Sequence, residues 1–194
     1  MEWNRIVLAS ASPRRRELLL QIGLAPEVVV SHVEEKVTSS EPERVVMELA
    51  SQKAEDVAVS QGAGTLVIGS DTVVAVDGDI LGKPKSHVEA KEMVGRIAGR
   101  SHEVYTGVCL IWKDLDGEAH RSVFYDETEV EVYPMSEEEI EAYAMSEEPM
   151  DKAGAYAVQG VFAKYIKRLS GSYANVMGLP VSRLYQEMKR LSEK

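Results

Sequence analysis

An aspartate inside an apolar run is the residue in this sequence that is best suited to chemistry. Asp71 lies in Ile68-Gly69-Ser70-Asp71-Thr72-Val73-Val74, a β-branched run that is typical of a buried strand. A buried carboxylate is costly unless it is paired, hydrogen-bonded or bound to a metal, so Asp71 is either a structural acid with a partner or a reactive one. Lys83 and Lys85 follow after a short turn, and this combination favours metal-assisted chemistry on a phosphate.

A second segment, Leu8-Ala9-Ser10-Ala11-Ser12-Pro13-Arg14-Arg15-Arg16, predicts a strand that leads into a helix N-terminus. Such a turn directs backbone N–H groups and a positive dipole end toward an anion. Ser10 and Ser12 add hydroxyl donors, and Arg14 and Arg15 can bind phosphate oxygens. The alternative is an N-cap followed by solvated arginines.

Two acids and one lysine form further candidates. Glu34 and Glu35 lie in a predicted loop, where they either assist a metal or are merely solvated. Lys53 falls on the apolar stripe of a predicted helix, so its ammonium group either extends to water or points into a cleft. The Asp71 run also contains a Gly-Ser pair, which we expect to let the backbone approach a ligand.

The segment Asp151-Lys152-Ala153-Gly154-Ala155-Tyr156-Ala157-Val158-Gln159-Gly160 combines small residues with polar ones. Lys152, Tyr156 and Gln159 offer contacts to a base or a phosphate, and the small residues allow close approach of the backbone. The alternative is a tight loop before a strand.

Composition narrows the class of protein. The 194 residues are enough for one domain with a substantial core, and the net charge of −10 argues against a broad basic surface for nucleic acid. One cysteine, Cys109, excludes an intramolecular disulfide, and its apolar neighbours predict a buried strand residue. The four histidines show no zinc-binding spacing. We expect a cytoplasmic protein, because no apolar run is long enough to span a membrane and no signal peptide is evident.

The elements that must position these residues follow from patterning and capping signals. Strands are predicted at 5–9, 27–31, 65–76, 102–113 and 121–133, with turns at 77–78 and 116–117. One helix is predicted to begin at Ser12-Pro13, and the last helix is predicted over 180–191. Three more helices are predicted to begin at Ser–Glu capping boxes, which are Ser40 with Glu43, Ser86 with Glu89 and Ser136 with Glu139. The alternation predicts an α/β fold with a mixed central sheet flanked by helices, as a single domain over 1–194 in two lobes.

Taken together, these segments resemble the Maf family of nucleoside triphosphate pyrophosphatases from end to end. The matching stretches are Leu-Ala-Ser-Ala-Ser-Pro-Arg-Arg (8–15), Val-Glu-Glu-Lys (33–36), Gly-Ser-Asp-Thr-Val-Val (69–74), Leu-Gly-Lys-Pro (81–84), Gly-Arg-Ser-His-Glu-Val-Tyr-Thr-Gly-Val (99–108), Glu-Pro-Met-Asp-Lys-Ala-Gly-Ala-Tyr (148–156) and Val-Met-Gly-Leu-Pro (176–180). The resemblance implies an elongated, two-lobed fold akin to inosine triphosphate pyrophosphatase, with a central cleft. It also implies hydrolysis of a nucleoside triphosphate to a monophosphate and pyrophosphate, with Mg²⁺ or Mn²⁺, in a homodimer. The net charge and the lack of a long apolar run predict that the protein has no nucleic-acid or membrane partner.

The resemblance and the chemistry together imply roles for particular residues. Asp71 is the general base or a metal ligand, and Glu35, rather than Glu34, is the second metal ligand. Lys53 and Lys83 would stabilise charge that develops on the phosphates. The substrate-binding set implied is Ser10, Arg14, Arg15, Thr72, Lys152 and Gln159.

Within the family, Asp-Lys-Ala-Gly-Ala-Tyr-x-x-Gln-Gly resembles the subgroup that acts on dTTP and UTP. Arg14, Thr72 and Gln159 fall at the positions associated with that specificity. The competing hypothesis is a nucleotide-binding regulator of septum formation without essential catalysis. A complete set of Asp71, Lys53 and Lys83 argues against it, because a pure binder needs no acid beside the phosphates.

Overall fold

A seven-stranded mixed sheet flanked by helices forms the architecture, seen in a computed structural model that describes residues 3–193. The strands are Arg5–Leu8 (β1), Glu27–Val28 (β2), Thr65–Val76 (β3), Asp79–Leu81 (β4), Ser101–Lys113 (β5), Ala119–Val132 (β6) and Ile166–Ser170 (β7). The helices are Pro13–Gln21 (α1), Pro42–Ala58 (α2), His87–Ile97 (α3), Glu137–Ala144 (α4), Tyr173–Val176 (α5) and Val181–Leu191 (α6), and three short 3₁₀ helices lie at Glu148–Asp151, Ala153–Ala155 and Val161–Tyr165. None of the helices found in residues 3–193 is both long and apolar enough to cross a membrane.

The strand order is β2-β1-β3-β5-β6-β7, and β4 pairs with β3. β1 runs parallel to β2 and to β3, whereas β4 is antiparallel to β3 and β7 is antiparallel to β6. The prediction of an α/β fold with a mixed central sheet is therefore confirmed.

The chain divides into two compact units. Over the described residues, the first unit contains 3–71, 106–126 and 178–193, and the second contains 72–105 and 127–177. The first has a core of small aliphatic residues that includes the fully buried Cys109, whose thiol pKa is raised by burial. The second has a larger core that is rich in aromatic side chains around Phe162. The burial predicted for Cys109 is confirmed.

Local signals predicted most element boundaries. Strand β3 has the predicted bounds, and its hairpin with β4 turns at Asp77 and Gly78, whose φ angles are 53° and 83°. The N-caps Ser86 and Ser136 are also confirmed, because each hydroxyl accepts a hydrogen bond from the N–H three residues on.

Two details of the predicted elements were wrong. The capping box of Ser40 with Glu43 is absent: α2 begins at Pro42 with Glu41 as its N-cap, and the Glu41 carboxylate pairs with Arg44 at 2.6 Å. Proline fits a first helical turn because its missing N–H would have had no helical partner there. The second predicted strand is also too long, because β2 spans only Glu27–Val28.

Candidate functional site

An acid–lysine–acid cluster forms around β3 in the first unit. The Lys53 ammonium group makes an ion pair with Asp71 Oδ1 and lies 2.9 Å from Glu35 Oε1. The exposed fractions of the Lys53 and Asp71 side chains are 17% and 15%, against 49% for Glu35. Partial burial strengthens such pairing, so the three side chains hold one another in place.

Lys53 reaches Asp71 because α2 packs very close to β3. Ala50 and Ala54, on either side of Lys53, are fully buried. A Cβ atom on Gly69 would lie 2.3 Å from the Ala50 carbonyl oxygen and 2.8 Å from Ala54 Cβ. The close packing of α2 is therefore sufficient to require glycine at position 69. The approach of a ligand to the Gly-Ser pair stays a prediction.

Replacing Gly69 with alanine is expected to destabilise the first unit and to impair the site together. The added methyl group meets backbone, which cannot rotate away, so α2 must shift and carry Lys53 with it; overpacking of this kind costs about 1–3 kcal/mol or more. Thermal unfolding and turnover measure the two effects. Gly62→Ala is the matched control, because nothing lies within 4 Å of its added Cβ. A Gly69→Ala protein with the melting temperature of Gly62→Ala would contradict this account.

The turn before α1 is organised by hydrogen bonds. Ser10 Oγ accepts from the Ser12 N–H at 3.2 Å and from Arg15 Nη1 at 3.0 Å. Arg15 Nε donates to the Gly178 carbonyl at 2.8 Å, and Ser70 Oγ donates to the same oxygen at 3.0 Å. Since Ser70 precedes Asp71, one carbonyl connects the turn to the strand that carries the acid. Ser12 is the N-cap residue of α1 as predicted, but its side chain makes no capping bond.

Electrostatics link this turn to the acid cluster. Burial lowers the pKa of the Arg15 guanidinium, Asp71 and Glu35 oppose that effect, and Arg14 adds to it. Three cations, Arg14, Arg15 and Lys53, thus accompany two carboxylates. This local excess of positive charge suits a polyphosphate even though the whole chain carries a net charge of −10.

The two neighbouring acids have different surroundings. Glu35 contacts Lys53, whereas Glu34 lines a groove of about 760 Å³ together with Arg44, Met47 and Arg121 among others. Neither Lys53 nor Asp71 lines that groove. The geometry therefore favours Glu35 as the acid that acts with Asp71.

The second unit carries the remaining candidates. Thr72 is partly exposed in β3, and Lys83 is exposed in the loop after β4. The residue before Lys83, Gly82, accepts a hydrogen bond of 3.0 Å from the Gly154 N–H. Gly154 has a φ of 67°, and a Cβ there would lie 2.7 Å from Val74, so glycine is needed for both reasons. This contact joins the Lys83 loop to the 151–160 segment.

Lys152 and Gln159 lie on that segment with different exposure. Lys152 Nζ donates to the Glu148 carbonyl at 2.8 Å and pairs with Asp151, whereas Gln159 is exposed. Tyr156, in contrast, is buried and its hydroxyl shares a hydrogen bond of 2.8 Å with His102 Nε2. Burial lowers the His102 pKa to about 4, so this imidazole is neutral at physiological pH. Tyr156 is therefore an anchor of the segment.

The residues present fit a divalent cation. Carboxylate oxygens of Glu35 and Asp71 converge on one positively charged atom, Lys53 Nζ. Mg²⁺ is commonly bound in the same way, by one or two carboxylates together with substrate phosphates. Within residues 3–193, a separate group of Asp114, Glu118 and His120 also has ligand atoms within 4.8 Å of one another. The Gly64 N–H, just before β3, bonds to Lys113 O, so this group lies about 20 Å from Asp71 along the strand.

Comparison with known proteins gives a consistent result. The family model described as Maf-like protein matches residues 5–191. The chain is 50% identical over 186 residues to the dTTP/UTP pyrophosphatase of Lachnoclostridium phytofermentans, covering 96% of this chain and 94% of the relative. It is 48% identical over 200 residues to the dTTP/UTP pyrophosphatase of Agathobacter rectalis, covering 97% and 98%. The structure of the Staphylococcus aureus Ham1 protein aligns with a TM-score of 0.52 at 16% identity, covering 98% of this chain and 100% of that one; this likeness concerns the fold alone.

Proposed function

Because the chain belongs to the Maf-like family, we propose that it hydrolyses nucleoside triphosphates to the monophosphate and pyrophosphate, with dTTP and UTP preferred. The observation that carries this proposal is the cluster of Glu35, Lys53 and Asp71, which places two carboxylates around one partly buried ammonium group in the first unit. A regulator without essential catalysis is not favoured, since the curated relatives are named as enzymes.

Asp71 is the proposed general base. It takes a proton from a water molecule whose oxygen attacks the α-phosphorus, and the bond from that phosphorus to the oxygen that bridges to the β-phosphate breaks. Pyrophosphate leaves with that oxygen. Lys53 and Lys83 stabilise the negative charge that grows on the transferred group and on the leaving group.

The substrate phosphates are bound by the turn before α1. Arg14 provides charge and N–H donors, while Arg15 provides charge and holds the Ser10 hydroxyl in position. Glu35 and Asp71 would hold a divalent cation, Mg²⁺ or Mn²⁺, which when bound neutralises phosphate oxygens. The cation and the lysines thus oppose the same charge.

The nucleobase of the substrate is recognised by Thr72, Lys152 and Gln159. An exposed amide such as Gln159 both donates and accepts hydrogen bonds, as the edge of uracil or thymine requires. A site with such polar groups rejects bases that leave them unpaired. From the family resemblance we further propose a homodimer of one domain per chain. From the sequence composition we propose that it is cytoplasmic and, given the net charge of −10, that it binds no nucleic acid.

Pyrophosphate release across a nucleotide panel, with and without Mg²⁺ or Mn²⁺, tests the proposal. We expect dTTP and UTP to be hydrolysed at least about tenfold faster, as kcat/KM, than ATP and GTP, because a base without the matching polar groups leaves the polar groups of the site unpaired. CTP is the most informative substrate, since cytosine replaces a carbonyl acceptor with an amino donor. Release must depend on the added cation.

The outcomes separate the parts of the proposal. A purine triphosphate or 7-methyl-GTP as the best substrate would refute the preference for pyrimidines and leave the hydrolase assignment intact. Absence of pyrophosphate release from every nucleotide, in a protein that binds them, would refute the hydrolase assignment itself.

A further inference from the structure

The segment that carries Lys152 and Gln159 is closed by one carboxylate. Glu148 Oε1 accepts hydrogen bonds from the Tyr143 hydroxyl at 2.9 Å and from the Phe162 N–H at 3.2 Å. Glu148 Oε2 accepts from the Val161 N–H at 2.8 Å. The carboxylate therefore ties the start of the segment to the residues just after it, and hydrogen bonds to a charged acceptor are stronger than those to a neutral one.

Glycine is needed at position 160 because the Glu148 carboxylate lies against it. Its φ of −100° is accessible to any residue, so its backbone does not require glycine. A Cβ at this position would instead lie 2.2 Å from Glu148 Oε2 and 2.4 Å from its carboxyl carbon. Gly160 thus allows the carboxylate to sit directly against the backbone that follows Gln159.

The backbone of Glu148 holds the other polar residue of the segment. Its carbonyl oxygen accepts a hydrogen bond of 2.8 Å from Lys152 Nζ. The Lys152 contact and the contacts of the Glu148 carboxylate hold the two ends of the segment. Between them, the chain is fixed by Gly154, which packs on Val74, and by the buried Tyr156. Lys152 and Gln159 are therefore presented from the two ends of a loop that Glu148 closes.

We propose that Glu148, with the space left by Gly160, is a positioning residue that sets the discrimination between bases. This inference rests on the proposed function, because it assumes that Lys152 and Gln159 contact the base. Glu148 itself touches neither the phosphates nor the reacting atoms in this account. Its loss should therefore weaken base recognition more than the chemical step.

The test measures kcat and KM for dTTP and for ATP in five proteins: wild type, Glu148→Ala, Gly160→Ala, the double variant and Glu147→Ala. We expect each single change at 148 or 160 to raise KM for dTTP about tenfold, to alter kcat less, and to reduce the preference for dTTP over ATP. Glu147→Ala is the matched control, because this exposed neighbour has the same side chain and lies outside the contacts described.

The double variant provides the sharpest readout. The Glu148→Ala change removes the three atoms that lie nearest to a Cβ at position 160, so Gly160→Ala should change KM less than twofold in the Glu148→Ala background. Glu148→Gln serves if the alanine variants fail to fold. It keeps one oxygen for Tyr143 and Phe162 but turns an amide group toward the Val161 N–H, and an intermediate rise in KM is expected.

Four results would overturn the inference. An unchanged dTTP-to-ATP preference in folded Glu148 variants would refute it alone, as would strictly additive effects of the two substitutions. A fall in kcat with KM and preference unchanged would mean a merely structural role. Wild-type protein that shows no preference for dTTP would refute the proposed specificity first, and this inference with it.

Discussion

Replacing Asp71 with asparagine is expected to lower kcat for dTTP hydrolysis by at least about a hundredfold, which is the usual effect of removing a general base. The amide cannot take a proton from the attacking water, and it is a weaker ligand for a cation. Its oxygen can still accept a hydrogen bond from Lys53, and the ion pair of Lys53 with Glu35 remains. Fold and dTTP binding should therefore persist.

Calorimetry measures whether dTTP binding is retained, and an assay of pyrophosphate release measures the loss of turnover. Glu34→Gln is the matched control, because Glu34 is an acid of the same unit that lines the separate groove. Its turnover should stay close to that of the wild type. Asp71→Asn protein that folds, binds dTTP and turns it over at the wild-type rate would rule out the proposed base.

Local signals were sufficient for several features whose cause lies within a few residues. Ser86 and Ser136 cap their helices through N–H groups three positions away, and Asp77-Gly78 closes a two-residue hairpin. The unusual position of Asp71 in an apolar run predicted either a partner or a reaction. The structure provides the partner, Lys53, which lies on the apolar stripe of α2.

Contacts between distant residues were not predictable in this way. A glycine in the sequence reports a missing Cβ but not what fills the space: at Gly69 it is the Ala50 carbonyl, and at Gly160 it is the Glu148 carboxylate. Glu148 begins one of the stretches shared with the Maf family, but its role could not be predicted, because two of its donors, Val161 and Phe162, come much later in the chain. The start of α2 was missed for a different, local reason: two candidate caps, Ser40 and Glu41, are adjacent.

Replacing Lys53 with methionine is expected to lower kcat by about two orders of magnitude and to change KM much less, as for other groups that oppose charge in the transition state. Methionine keeps much of the length and packing of the side chain, so α2 should stay against β3. The change leaves the Glu35 and Asp71 carboxylates without the cation that now joins them. Steady-state kinetics with dTTP measures the effects on kcat and on KM separately.

Lys83→Met should act in the same direction, whereas Lys91→Met, which removes a half-exposed lysine paired with Glu141, should be neutral. A rise in KM alone at Lys53 would mean that this ammonium group binds charge already present on the substrate, and the catalytic role would then pass to Lys83 and the divalent cation.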